Sequence, residues 1–190
     1  FFLLIGLLLL TAGDRWLAVV AVLLNIGFLL MLIYLDYETG WNWETLAYSG
    51  FWTLRGMIRH IFFNGFHPVF PWASFLLIGM WLGRKDMTDK KTRRNLLIGS
   101  FLVWLITTIV FKLLLNYLAG QDTVISQTDL NSLLSTAPMP PMPQYILSAG
   151  ASAVFFIALS VYLTSKFNSA SWVRILCQTG QLSLTFYVAH

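Results

Sequence analysis

Charged residues are scarce in this sequence. They make up 11% of its 190 residues, against about 25% in a typical soluble domain. Hydrophobic residues account for 57%, and the mean hydropathy is +0.71. A soluble protein of this size cannot bury that much apolar surface, and a disordered chain does not contain it. The composition therefore indicates an integral membrane protein, with membrane lipids as its surroundings.

Several familiar sites are also missing. The single cysteine, Cys177, excludes a disulfide framework and a cysteine-based zinc site. The sequence has no glycine-rich phosphate loop, no histidine pair at the spacing of a zinc site and no nucleophile elbow. The net charge of +4 is weak evidence for nucleic-acid binding, because in a membrane protein the position of the cations matters more than their sum. We therefore predict neither a metal site nor a nucleic-acid partner.

Hydrophobic residues fall into blocks long enough to cross a bilayer. Five blocks are complete, and a sixth is cut short at the N-terminus. We predict an all-α fold, a polytopic transmembrane helix bundle of five to six spans, forming a single domain over residues 1–190. The complete blocks are Trp16–Leu35, Ile61–Gly83, Leu96–Leu118, Gln144–Leu163 and Trp172–His190, and the short one is Phe1–Ala12.

The distribution of cations orients this bundle. The loop Arg84–Arg94 carries six basic residues among eleven, and such loops face the cytoplasm. Alternation of the spans places Arg15, Lys166 and Arg174 on the same side. The sequence therefore predicts a cytoplasmic Arg84–Arg94 loop.

Two segments on the opposite, outer side have structure of their own. Within Trp43–Phe63, apolar residues recur every three to four positions, and Arg55 and Arg59 lie off that stripe. This pattern predicts an amphipathic helix on the outer surface. A second, short helix is predicted near Thr128–Ser135, before a proline-rich run.

Polar residues at membrane depth are the candidates for function, because such groups are costly there. Histidine is the usual general base near neutral pH. Interfacial histidines and arginines can also do no more than anchor lipid headgroups, and Gln181 can serve as an interhelical hydrogen bonder. The catalytic candidates are His67 and His190, and the substrate-binding candidates are Arg55, Arg59, Asn64 and Gln181.

Two stretches resemble a known group of membrane proteins. Gly65–Arg84, GFHPVFPWASFLLIGMWLGR, resembles a Pro-x-x-Pro-Trp and Gly-x-x-x-Gly-Arg pattern of the DUF418 (YeiB-like) family. Gly180–His190, GQLSLTFYVAH, resembles a span of that family and the Tyr-Val-x-His helix of heparan-alpha-glucosaminide N-acetyltransferase relatives. Both groups belong to a broad superfamily of polytopic membrane acyltransferases, and we expect this chain to lie in the bacterial inner membrane.

The resemblance implies a reaction and a site. It implies acyl-CoA, such as acetyl-CoA, as the donor on the cytoplasmic side and an extracytoplasmic glycan or small molecule as the acceptor. By the Tyr187–His190 match it makes His190 the first catalytic candidate, and His67 lies within the other motif. The family's N-terminal helices, with their Asp-x-x-Arg-Gly signature, do not occur in this sequence. We therefore expect the 190 residues to be the C-terminal part of such a protein.

Two alternatives remain open at this point. The chain can be a transporter or flippase for an amphiphile, with Arg55 and Arg59 binding an anionic headgroup and Pro68 and Pro71 forming a hinge. It can also be a non-catalytic membrane subunit whose basic loop binds a partner or anionic lipid.

Overall fold

A computed structural model describes residues 1–121, 126–167 and 170–189, with 183–189 as backbone only. The described chain is helical apart from one small hairpin and its connecting loops. The helices are α1 (Phe2–Leu8), α2 (Asp14–Tyr34), α3 (Leu54–Arg59), α4 (Val69–Gly83), α5 (Lys90–Ala119), α6 (Gln127–Leu134), α7 (Pro143–Lys166) and α8 (Ser171–Ala189), and a π-helical turn, His60–Asn64, follows α3. The strands β1 (Trp41–Asn42) and β2 (Ala47–Tyr48) pair antiparallel. The predicted all-α class is confirmed.

Three described helices, α2, α5 and α7, are long and apolar enough to cross a membrane. A fourth candidate is the bent pair Leu54–Asn64 and Val69–Gly83, whose two parts meet at 45°. Three to four spans are therefore supported by length and composition, and the predicted total of five to six stays a prediction.

Helices α2 and α4 form one packed unit. Leu17 and Leu24 of α2 contact Val69, Ala73 and Leu77 of α4. The opposite side of α2 is largely exposed, and such an apolar exposed face is what lipid contact requires.

Helices α5 and α7 form the second unit. Phe101 and Trp104 of α5 pack against Phe155 of α7 with tilted rings, whose centroids are 5.4 and 6.1 Å apart. A hydrogen bond of 3.2 Å between the hydroxyls of Thr108 and Ser148 joins the same helices within their apolar stretches.

The predicted amphipathic helix over Trp43–Phe63 is shorter than expected. Its first part is the β1–β2 hairpin, and the α-helix begins only at Leu54. Gly40 and Gly50 flank the hairpin with φ of +92° and +72°, a left-handed conformation that favours glycine. Thr53 then caps α3, because its side chain accepts a hydrogen bond from the Gly56 amide. The short helix predicted near Thr128–Ser135 is confirmed as α6.

The two ends of the bundle differ in character. At one end, which we call the charged end, Arg84 and Lys85 both pair with Asp14, at 3.2 and 2.6 Å. The start of α5 follows Lys85 after four residues, and the end of α7 lies beside it, so both lie at this end as well. At the other end, residues 36–66 form a unit that we call the cap: the hairpin, α3 and the π-helical turn. Which end faces the cytoplasm stays a prediction.

Candidate functional site

Asn64 organises the cap. It is fully buried, and its side-chain amide donates to the carbonyls of Tyr37 and Thr39 at 2.8 and 2.9 Å. Its side-chain oxygen accepts from the Tyr48 hydroxyl at 3.1 Å, and its backbone carbonyl accepts from the Trp41 indole at 2.5 Å. Both amide hydrogens thus go to protein groups. Asn64 is a positioning residue in this structure, and its predicted contact with substrate stays a prediction.

His60 lies in a group of aromatic rings. Its ring is 4.7 Å from that of Tyr48, 5.2 Å from Phe51 and 5.8 Å from Trp41, measured between centroids. The chain can turn this tightly because residue 65 is glycine: a Cβ there would lie 2.2 Å from the His60 carbonyl oxygen. His60 is half-buried by these rings, which limits its access to a substrate.

The two candidate arginines differ in their exposure and in the contacts that their side chains make. Arg59 donates to the backbone carbonyl of Asp36, and its guanidinium carbon lies 5.5 Å from the Phe63 ring centre. Its Nε is buried and has no hydrogen-bond partner within the described residues. Arg55 is exposed one turn earlier. Both line an otherwise apolar cavity of about 470 Å³, with Met31 among its walls. Arg55 is therefore the arginine that is available to a ligand.

His67 belongs to another aromatic group. It is exposed, and its ring lies edge-on to that of Trp72, 4.5 Å away. Trp72 in turn contacts Tyr145 of α7 at 5.9 Å, so this group joins the start of α4 to α7. The Trp72 indole nitrogen is buried with no partner among the described residues. His67 is thus an accessible imidazole on an aromatic support.

The cap also controls ionisation. Burial raises the pKa of the Tyr37 and Tyr48 phenols. A hydrogen bond from the Thr39 hydroxyl and another from the Glu38 amide lower the pKa of Asp36. At neutral pH the cap therefore holds neutral phenols and an ionised Asp36, and neither phenol is a base under these conditions.

A polar pair at mid-depth was not among the candidates. The Asn25 amide of α2 donates to the Ser74 hydroxyl of α4 at 3.0 Å and to the Ala21 carbonyl at 2.8 Å. The Asn25 side-chain oxygen is buried and has no partner in the described part of the chain. A cavity of about 400 Å³ between α2, α4 and α7 opens beside this pair. The signal in the sequence was Asn25 itself, the strongly polar residue within an apolar span.

The remaining candidates lie on or after α8. Gln181 is exposed on that helix, as are most of its described side chains, and among the described residues no hydrogen bond or ion pair joins it to the cap. His190 lies outside the described residues. Among the residues that the structure describes, no group of three or more His, Cys, Asp or Glu side chains is arranged to hold a metal ion.

Comparison with known proteins identifies one family. The model described as heparan-alpha-glucosaminide N-acetyltransferase, catalytic, matches residues 1–122. The match covers α1 to α5, the cap and the Gly65–Arg84 motif. The ending Gly180–His190 lies outside it, and the likeness to DUF418 stays a resemblance. No curated protein and no solved structure matches the chain.

Proposed function

Because the chain belongs to the heparan-alpha-glucosaminide N-acetyltransferase catalytic family, we propose that it transfers an acetyl group from acetyl-CoA to a glycan or small acceptor across the membrane. The observation that carries this proposal is the family match over residues 1–122, which includes the cap and the helices that hold it. The same family does not favour the transporter alternative.

The proposed reaction has two sides. We place the protein in the bacterial inner membrane, with the basic Arg84–Arg94 loop on the cytoplasmic side. Acetyl-CoA approaches from that side. The acceptor approaches the cap. Opposite placement of donor and acceptor requires a polar path through the bundle. The Asn25–Ser74 pair, about two and a half turns before the C-terminal end of α2, is one polar point between the two ends.

The proposed chemistry is general base catalysis by a histidine. A neutral imidazole takes the proton from the acceptor hydroxyl or amine, whose oxygen or nitrogen attacks the thioester carbonyl carbon. The carbon–sulfur bond breaks, and the departing thiolate receives the proton from the imidazolium, which leaves acetylated acceptor and coenzyme A. His67 fits this role by its exposure, and His190 is the other proposed base.

The binding roles follow from the cap. We propose that the exposed Arg55 contacts anionic groups of the substrate, beside the apolar cavity that it lines. Arg59 and Asn64 are proposed to act on substrate through the shape that they give to the cap. Gln181 of α8 is proposed as a further substrate-binding residue.

The test is acetyl transfer by the full-length protein in lipid nanodiscs. Thiol release from acetyl-CoA is followed with Ellman's reagent, and the acetylated glucosaminide is detected by mass spectrometry. We expect His67→Ala to lower kcat by about 10²- to 10⁴-fold, the usual contribution of a general base. His60→Gln is the matched control, because that histidine is enclosed by rings.

Two results would contradict these proposals separately. If His67→Ala keeps wild-type turnover and His190→Ala loses it, His190 is the base and His67 is not. If the wild-type protein releases no thiol with any glucosaminide acceptor, the proposed transfer itself is wrong.

A further inference from the structure

A cleft at the charged end, between the start of α5 and the end of α7, gathers four cations. Its volume is about 640 Å³, within the range of small-molecule sites. We call it the basic cleft. It is lined by Lys90, Arg93, Arg94, Leu97 and Ile98 of α5 and by Tyr162, Ser165 and Lys166 of α7.

Among the described residues, no acidic side chain pairs with the cations of the basic cleft. Both ion pairs found among the described residues use Asp14, with Arg84 and Lys85. The nearby Asp89 accepts from the Lys91 and Thr92 amides, as the N-cap of α5. Like charges on one helix face repel each other. An anion is therefore the ligand that this cleft is suited to bind.

One aromatic ring holds two of these cations in place. The Arg93 guanidinium carbon lies 5.8 Å from the centre of the Tyr162 ring, and the Lys166 nitrogen lies 5.9 Å from it. Arg93 also donates to the Met87 carbonyl at 3.4 Å and is half-buried. Contacts of this kind reduce the entropy that each long side chain loses on binding.

The lining changes from charged to apolar along α5. Lys90, Arg93 and Arg94 lie on the same face as Leu97 and Ile98, because the spacing is three to four residues. Eight residues of helix span about 12 Å. Ile98 is 53% exposed, so its apolar side chain is accessible to an acyl chain. A ligand with a phosphate and an attached acyl chain matches both parts of this surface, whereas a soluble phosphate matches the charged part alone.

We propose that the basic cleft binds the phosphate of an anionic phospholipid, whose acyl chain lies along Leu97 and Ile98. The site holds the ends of α5 and α7 together in the leaflet that meets the charged end. This proposal does not rest on acyl transfer.

The experiment is native mass spectrometry of the full-length protein with added phosphatidylglycerol, with phosphatidylcholine as the zwitterionic comparison. We expect the double variant Arg93→Gln, Lys166→Gln to bind phosphatidylglycerol about thirtyfold more weakly, from the usual contribution of two basic residues at a membrane surface. The control Lys91→Gln, Lys112→Gln removes the same charge outside the cleft and is expected to bind like wild type. The charge-retaining Arg93→Lys variant is expected to keep binding, which separates charge from folding.

Two results would overturn the proposal. Equal weakening in the cleft and control variants would mean that net charge, not the cleft, attracts lipid. The second result is that soluble coenzyme A displaces the lipid from the wild-type protein and that this displacement disappears in the cleft variant. It would assign the basic cleft to a soluble phosphate ligand instead.

Discussion

Replacement of Asn64 by alanine is expected to loosen the cap and to leave the helix bundle folded. The substitution removes both amide donors and the acceptor oxygen at the centre of the cap. The carbonyls of Tyr37 and Thr39 then lose their partner in a buried place, where an unpaired polar group is costly. The packed α2–α4 core uses other residues and is expected to persist.

The magnitude follows from three hydrogen bonds. At about 1 kcal/mol each, their loss raises the free energy of the closed cap by roughly 3–4 kcal/mol. This corresponds to a rise of about 10²- to 10³-fold in the open population. Tyr48→Phe removes one of the three bonds and is expected to cost about 1 kcal/mol. Asn64→Asp is expected to destabilise the cap more than Asn64→Ala does, because a buried carboxylate cannot donate to the two carbonyls and its negative charge repels their oxygens.

The assay is hydrogen–deuterium exchange of the full-length protein in nanodiscs. In Asn64→Ala, the amides of residues 37–48 are expected to exchange about 10²- to 10³-fold faster. The amides of α7 are expected to keep their protection. Asn131→Ala is the matched control, because that asparagine makes one exposed bond to the Gln127 carbonyl. Unchanged protection of residues 37–48 in Asn64→Ala would refute the role given to this side chain.

Three further predictions concern packing, pH and charge. Gly65→Ala is expected to destabilise the cap by about 1–3 kcal/mol, because the new Cβ would meet the His60 backbone. Gly79→Ala is the control and is expected to leave stability unchanged, since the space at its Cβ is open. Thermal unfolding followed by tryptophan fluorescence compares the two variants. Burial raises the pKa of the Tyr37 phenol. The contribution of this phenol to folding stability is therefore complete below about pH 10 and is lost as the pH rises through the raised pKa. Tyr37→Phe should therefore show a shallower alkaline fall in Tm, and a slope equal to wild type would contradict this. Asp14→Asn is expected to leave Tm nearly unchanged, because this carboxylate is 41% exposed and exposed ion pairs contribute little to stability. A clear fall in Tm would show that the ion pair is stronger than its exposure allows.

The spans could be predicted from the sequence because they depend on local composition. The predicted Trp16–Leu35 and Gln144–Leu163 agree with α2 and α7 to within a few residues at each end. A run of about twenty apolar residues satisfies its backbone as a helix in lipid whatever its neighbours are. The sequence did not predict the hairpin, because the apolar spacing within Trp43–Phe63 also fits a helix. The two glycines at which the chain turns do not change that apolar spacing.

The candidate site was predictable only in outline. The placement of Arg55, Arg59 and His67 near one end follows from the order of the spans, as does the collection of cations near Arg84–Arg94. Their surroundings do not, because ring contacts and hydrogen bonds join distant positions in the chain. Asn64 meets partners 25 and 27 positions away, a pairing that no local pattern contains.

The sequence by itself determined a membrane protein, its main helices, its charged loop and the family resemblance in Gly65–Arg84. The tertiary structure decided which polar groups are already paired and which are free. It joined Asn25 to Ser74 and left the Asn25 oxygen without a partner among the described residues, and it brought Arg93 and Lys166 to one tyrosine ring. Hydropathy is a sum over neighbours in sequence, whereas a binding site is made by neighbours in space.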